Sequence, residues 1–420
     1  MRRRNLRMQL SVLVALVLQA LVWWLIVHYF RTRHLWYGFY DITDIGLYED
    51  YARQFARGLH PYSDVPVEYP PLAIPLMSLA QWLGPWVDYQ DAFAGEMIAL
   101  CFAAAGVTTA AAARLSHGFS GPIMAAVAFA LLTLFAGPIV ANRFDIAVAL
   151  DLSLFLYCVS RRWWTRAAAC LGVGFALKLT PAMLLPLVFL LAPKTRQIAG
   201  AGFAFLAAAL LPFLPHLLRS ARSLRYIFTY HAGRPLQIEG LYSTPYLLGH
   251  VITDGHVVIG YSHGSQSVNA KGTEMLASLS LGLMVACVVG LYLLLWRRRR
   301  WLRSSLPDVP VAALALVLIF LCTSKVLSPQ FLIWTIPLVG LAMASARVGS
   351  RVAGLLLSAA VILTQIVFPA RYWDLVALHT GPIVVIAIRN VLLLSTTVLL
   401  AVMLARRRGR RLTSDVRGPG

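Results

Sequence analysis

Apolar runs of membrane-spanning length recur along this chain, and nothing else limits its fold so strongly. A helix crossing a bilayer needs ~20 apolar residues. Inside the hydrocarbon every backbone polar group must be satisfied by the protein itself, so a spanning chain is helical or a closed barrel. Candidate runs lie at 10–30, 92–113, 121–140, 144–160, 167–192, 197–215, 274–296, 309–324, 330–345, 351–368 and 381–404. Only 13% of the 420 residues are charged and 59% are hydrophobic, whereas soluble domains carry about 25% charged residues. A soluble enzyme and a disordered chain are both excluded. The expectation is one all-α polytopic membrane domain over 1–420.

The charge is as uneven as the hydropathy. The net charge is +20, from 37 basic and 17 acidic residues. The basic residues fall in short runs between apolar segments, which is the positive-inside pattern rather than a nucleic-acid surface, so no nucleic-acid partner is expected. Strong cytoplasmic markers are Arg2–Arg4, Arg161 and Arg162 with Arg166, Lys194 with Arg196, Arg297–Arg300, and the tail from Arg406 to Arg411 within 405–420. The run Leu10 to Phe30 is too long for a signal-peptide core and no small-residue cleavage site follows it, so it reads as a retained first span. The segment 68–85 is apolar but holds four prolines. Letting it cross would put Arg161 and Arg162 outside, so it is expected to stay outside as short surface helices. Between two basic flanks, 167–192 is too short for two full spans, and Lys178-Leu179-Thr180-Pro181 sits in its middle. Proline breaks the helix there, and a lysine at depth costs ~2.5–3.5 kcal/mol unless partnered. Two half-helices meeting at Lys178–Pro181 resolve the parity. The result is about 12 membrane segments in the plasma membrane, both termini cytoplasmic, and long external loops at 31–91 and 216–273.

Eight acidic residues crowd the first of these loops: Asp41, Asp44, Glu49, Asp50, Asp64, Glu68, Asp88 and Asp91. A helix is expected from about Ile45 to Arg57, with Asp44 at its N-cap and Gly58 ending it. Asp44 could be only a cap. It could also be a general base taking the proton from an attacking sugar hydroxyl, a role worth ~10²–10⁴-fold in rate. Asp41 is a possible second carboxylate.

The order Asp44-Ile45-Gly46-Leu47-Tyr48, Gly58-Leu59-His60-Pro61-Tyr62 and Glu68-Tyr69-Pro70-Pro71-Leu72 resembles the first external loop of the GT-C superfamily of integral-membrane glycosyltransferases. The nearest type is family 87, bacterial mannosyltransferases that use polyprenyl-phosphate mannose. The resemblance continues through NRFD (142–145), KLTP (178–181), HAGRPLQIEG (231–240) and SPQFLIW (328–334). It implies a GT-C-like fold, Asp44 as the catalytic residue, a polyprenyl-phosphate sugar as donor, a lipid or glycan acceptor, and an α linkage made by inversion on the outer face. The chain departs from the pattern at Gly240, where relatives carry serine. Its Gly/Ser/His-rich stretch 250–273 has no counterpart.

A second constellation is cationic. Arg143, Lys178, His231, Arg234 and Lys325 all fall at external ends or loops, where a leaving lipid phosphate would need positive charge. The plainer alternatives are an ion pair of Arg143 with Asp145, and snorkelling of Lys178 and Lys325 to the interface. Glu68, Tyr69, Asp145 and Gln330 are candidates for acceptor contact or loop support. His250, His256 and His263 lack ligand spacing, and so do the five cysteines, so neither a metal nor another cofactor is expected. Trp82, Trp86, Tyr89 and Phe93 read as an interfacial belt. A transporter or flippase is the rival function, but it would show repeat symmetry and charges near the midplane. The topology is testable by cysteine labelling: positions 64 and 265 should react with an impermeant reagent from outside the cell. Position 299 should not, and external labelling there would overturn the charge argument.

Overall fold

The computed structural model describes residues 2–31, 37–84, 86–345 and 347–406, the side chains of 2–4 and 223 apart. The basic tail expected at 405–420 therefore lies, beyond Arg406, outside the described residues. Helix α1 (Arg2–Arg31) leads into the first long loop, which carries α2 (Ile45–Ala56) and α3 (Ala73–Trp82). There follow α4 (Tyr89–Leu115), α5 (Ser120–Ala136), the single turn α6 (Ile139–Asn142), α7 (Asp145–Ser160), α8 (Trp164–Lys178), α9 (Leu185–Leu191), α10 (Thr195–Leu210) and α11 (Leu214–Gly233). The second long loop holds α12 (Thr244–Thr253) and the strands β1 (Val258–Ser262) and β2 (Ser265–Asn269). The remainder is α13 (Thr273–Arg297), α14 (Arg299–Ser304), α15 (Val309–Thr323), α16 (Thr335–Ala344), α17 (Val348–Val367), α18 (Tyr372–Val376) and α19 (Thr380–Arg406). Among the described residues, seven helices are long and apolar enough to cross a membrane, and shorter apolar helices occupy 120–136, 180–191 and 329–344. The chain is a multi-pass, helical membrane protein.

The proline-rich segment 68–85 does not form a spanning helix: α3 has ten residues and starts after Pro70-Pro71. The apolar run 167–192 breaks where the sequence places the break. Leu179 takes φ +52°, Pro181 supplies no N–H, and a 3-10 turn (Thr180–Leu184) leads into α9. A broken helix leaves carbonyls unpaired. One of them, on Ala176, accepts the backbone N–H of Leu72 at 2.9 Å, so the first long loop seals the break.

Basic side chains tie helix ends together. Arg7 donates to the Ala113 carbonyl at 2.5 Å. Arg303 donates to the carbonyls of Leu190 and Ala192 at 2.7 and 3.0 Å, and Arg347 pairs with buried Asp308. Each contact joins segment ends that charge parity assigns to one side.

Two features depart from the sequence reading. The stretch 250–273 contains an antiparallel hairpin, with Val258 opposite Asn269 and Ser262 opposite Ser265. His263 and Gly264 turn it with φ +49° and +68°, the paired positive φ of a two-residue type I′ connection. The expected aromatic belt also divides. Tyr89 and Phe93 are core, whereas Trp82 and Trp86 are exposed.

Small residues set the closest helix approach. A Cβ on Gly172 of α8 would lie 2.5 Å from the Phe205 carbonyl oxygen and 2.8 Å from Ala208 Cβ in α10. Without a side chain here the two backbones meet, as at small-residue contacts between membrane helices. Gly172→Val should cost ~1–3 kcal/mol through overpacking, read as a lower melting temperature in detergent. An unchanged melting temperature would mean that this contact is not tight.

Candidate functional site

The site forms where the first long loop meets the ends of α6, α7, α8 and the 3-10 turn Pro329–Trp334. Asp44 occupies the N-cap position of α2, but its side chain makes no capping bond. Thr43 Oγ1 accepts the Ile45 N–H at 2.7 Å instead. The Asp44 carboxylate faces Arg143, with Nε to Oδ2 at 3.1 Å; the side chains are 31% and 5% exposed respectively. An accessible carboxylate thus rests on a buried cation. Gln330 holds that cation, its Oε1 accepting from Arg143 Nε at 3.1 Å and from Ser328 Oγ at 2.8 Å. Arg143 Nη2 donates to the Ile42 carbonyl at 3.3 Å, and Asn142 Nδ2 donates to the Phe39 carbonyl at 2.6 Å. The strand of loop preceding Asp44 is therefore pinned at two carbonyls.

Arg143 does not pair with Asp145, the simpler pairing that their spacing allowed. Asp145 belongs to Lys178, whose Nζ donates to both carboxylate oxygens at 2.7 and 2.8 Å. Trp334 Nε1 donates to the same carboxylate at 2.7 Å. The Lys178 ammonium also lies 4.7, 5.3 and 5.5 Å from the ring centres of Phe144, Phe331 and Trp334, a cation–π setting. Lys178 does not snorkel; it is neutralised in place, which answers the cost of a lysine at this depth.

The two neighbouring carboxylates behave differently from Asp44. Asp41 is exposed and folds back on its own turn, accepting the Gly38 N–H at 2.7 Å. Glu68 is buried and accepts the Tyr51 hydroxyl at 2.5 Å. Burial pushes its carboxyl above the ordinary range, with the Tyr51 bond opposing. Tyr69 stands edge-on to Phe144 and Tyr48, with ring centres 5.1 and 5.9 Å apart, and its carbonyl accepts the Tyr62 hydroxyl at 2.7 Å.

From the other side comes the second long loop. Arg234 Nη2 donates to Ser265 Oγ on the hairpin at 2.9 Å; burial pushes its guanidinium down, with Tyr230, Tyr69, Glu68 and Asp44 opposing. Lys325 Nζ donates to the Ala232 carbonyl at 2.7 Å. His231, expected among the cations, lies exposed in the last turn of α11, three residues before Arg234. With Arg143 paired to Asp44, Arg234 and Lys325 supply the positive charge here that forms no ion pair with a carboxylate among the described residues. Among the described residues no group of His, Cys, Asp and Glu has the arrangement of a metal site.

Asn142, Trp334 and Ser265 were not singled out from sequence. Asn142 and Trp334 lie inside NRFD and SPQFLIW, as uncharged neighbours of the charged and amide residues there. Ser265 follows His263-Gly264, the two positive-φ residues that turn the hairpin.

Residues 68–259, just under half of the chain, match the model of glycosyltransferase family 87. The chain's fold is similar to that of ArnT from Cupriavidus metallidurans bound to undecaprenyl phosphate, with 17% identity, 94% of this chain and 77% of that chain covered, and a TM-score of 0.50. The apo form of the same protein gives 15% identity, coverages of 92% and 78%, and a TM-score of 0.46. No curated protein matches the sequence. The fold is of the GT-C type, and the chain resembles family 87 as its loop motifs imply.

Because Asp145 is 0% exposed, removing Lys178 strands a buried carboxylate, at a cost of ~3–5 kcal/mol. Lys178→Met should therefore lower membrane levels and thermal stability. Adding Asp145→Asn should restore much of the loss while keeping the Trp334 bond. A single variant as stable as wild type would show that the pair does not hold the fold.

Proposed function

We propose that this protein is an inverting glycosyltransferase that takes a hexose, mannose being the first candidate, from a polyprenyl-phosphate donor. It passes the sugar to a lipid or glycan acceptor at the outer face of the plasma membrane. The observation that carries this reading is Asp44, a carboxylate not used in capping its helix, accessible, and held by buried Arg143. The family 87 match and the ArnT-like fold support the same class, and the ArnT structure holds undecaprenyl phosphate. In the proposed step Asp44 takes the proton of the acceptor hydroxyl as its oxygen attacks the anomeric carbon. The bond from that carbon to the phosphate oxygen breaks and its electron pair leaves with the lipid phosphate. Negative charge grows on that phosphate, and in this reading Arg234 and Lys325, which form no ion pair among the described residues, supply the charge-assisted hydrogen bonds that stabilise it. Arg143 fixes Asp44 in place. Attack opposite to the leaving group converts a β-linked donor into an α-linked product.

Asp44→Asn keeps the shape and removes the basicity. Transfer from a labelled polyprenyl-phosphate sugar should fall by ~10²–10⁴-fold at unchanged membrane levels. Asp41→Asn should retain turnover, because Asp41 is engaged in its own turn. The reverse pattern would move the base to Asp41 and sink this assignment.

A further inference from the structure

Helix α19 carries an arginine midway along its length. Arg389 and the adjacent Asn390 are 0% and 1% exposed, and both turn to one short stretch of the second long loop. Arg389 Nη2 donates to the Glu239 carbonyl at 2.9 Å. Asn390 Nδ2 donates to the carbonyls of Glu239 and Gly240 at 3.3 and 3.4 Å and to Thr244 Oγ1 at 2.7 Å. Other elements grip the same stretch. The Gln237 N–H donates to the Lys325 carbonyl at 3.0 Å, the Ile238 N–H to the Gln266 carbonyl at 3.0 Å, and the Val268 N–H to the Leu236 carbonyl at 2.9 Å. A Cβ on Gly240 would lie 3.0 Å from the Gln237 carbonyl oxygen and 3.5 Å from that of Lys325, so the stretch lies close against the Lys325 segment. It is continuous with Arg234, and Lys325 reaches back to Ala232. Arg234 on this loop and Lys325, just after α15, thus both adjoin backbone that α19 holds.

Stability alone does not account for Arg389. Its Nε and Nη1 have no hydrogen-bond partner among the described protein atoms, and neither does Glu239 Oε1. A buried guanidinium bonded this incompletely is costlier than an apolar side chain of similar length.

We propose that Arg389 and Asn390 are positioning residues for donor binding: by holding the carbonyls of Glu239 and Gly240, they set Arg234 and Lys325 at the spacing a lipid phosphate needs. The proposal rests on the phosphate-binding role given above to those two cations. It is tested with full-length protein in nanodiscs, using undecaprenyl phosphate as the probe and measuring both binding and melting temperature. Arg389→Met combined with Glu239→Gln, which leaves no buried carboxylate without its neighbouring cation, should keep or raise the melting temperature yet bind the probe about tenfold more weakly, equivalent to ~1.4 kcal/mol. Asn390→Leu should weaken binding similarly. Arg389→Lys, which can still donate to the Glu239 carbonyl, should fall between. In transfer assays the loss should appear in the donor KM rather than in kcat. Unchanged affinity in both variants overturns the proposal, and so does weaker binding that only follows a fall in melting temperature. Wild type that does not bind the probe overturns the phosphate-site reading itself.

Discussion

The site depends on a helix that stops short. In an apolar surrounding a broken helix is tolerated only where the protein repairs its unpaired groups. Here two repairs meet at the break after Lys178. The Leu72 N–H pairs with the Ala176 carbonyl, and the Lys178 ammonium pairs with Asp145 beneath three aromatic rings. The first repair draws the acidic loop down onto the bundle. The second fixes the start of α7, two residues after Arg143. Asp44, Arg143 and Gln330 are then aligned as a consequence of how the break is closed.

Much of this was legible in the sequence, for stated physical reasons. Hydropathy and the parity of basic runs kept 68–85 out of the spanning set and split 167–192 at Lys178–Pro181, because proline chemistry and charge placement act locally. The hairpin 258–269 was missed although His263-Gly264 signals it, since its flanking residues are polar and show little alternation. Partner choice was not legible. Spacing allowed Arg143 to pair with Asp145, yet in the fold each takes a partner from another part of the chain.

Asp44 shows how one position can be freed for chemistry. An aspartate heading a helix normally spends its carboxylate on backbone N–H groups. Thr43 takes over one such bond here, and Arg143 holds the freed carboxylate. In the second long loop the hairpin, the Lys325 segment and α19 brace a single stretch. The proposed base and the proposed phosphate-binding cations therefore stand on separately supported segments, as expected where two substrates must be held at a fixed distance.

The sequence distances across these contacts set an order of assembly. Asp44 emerges early in synthesis, but the groups that hold it belong to residues 143 and 330, and the carbonyl that receives its loop belongs to residue 176. Until those arrive, the acidic loop has nothing to settle on. A chain halted anywhere before Gln330 can carry Asp44 without ever presenting it correctly. Completeness of membrane insertion is thereby a precondition for a formed site, so half-made copies stay inert.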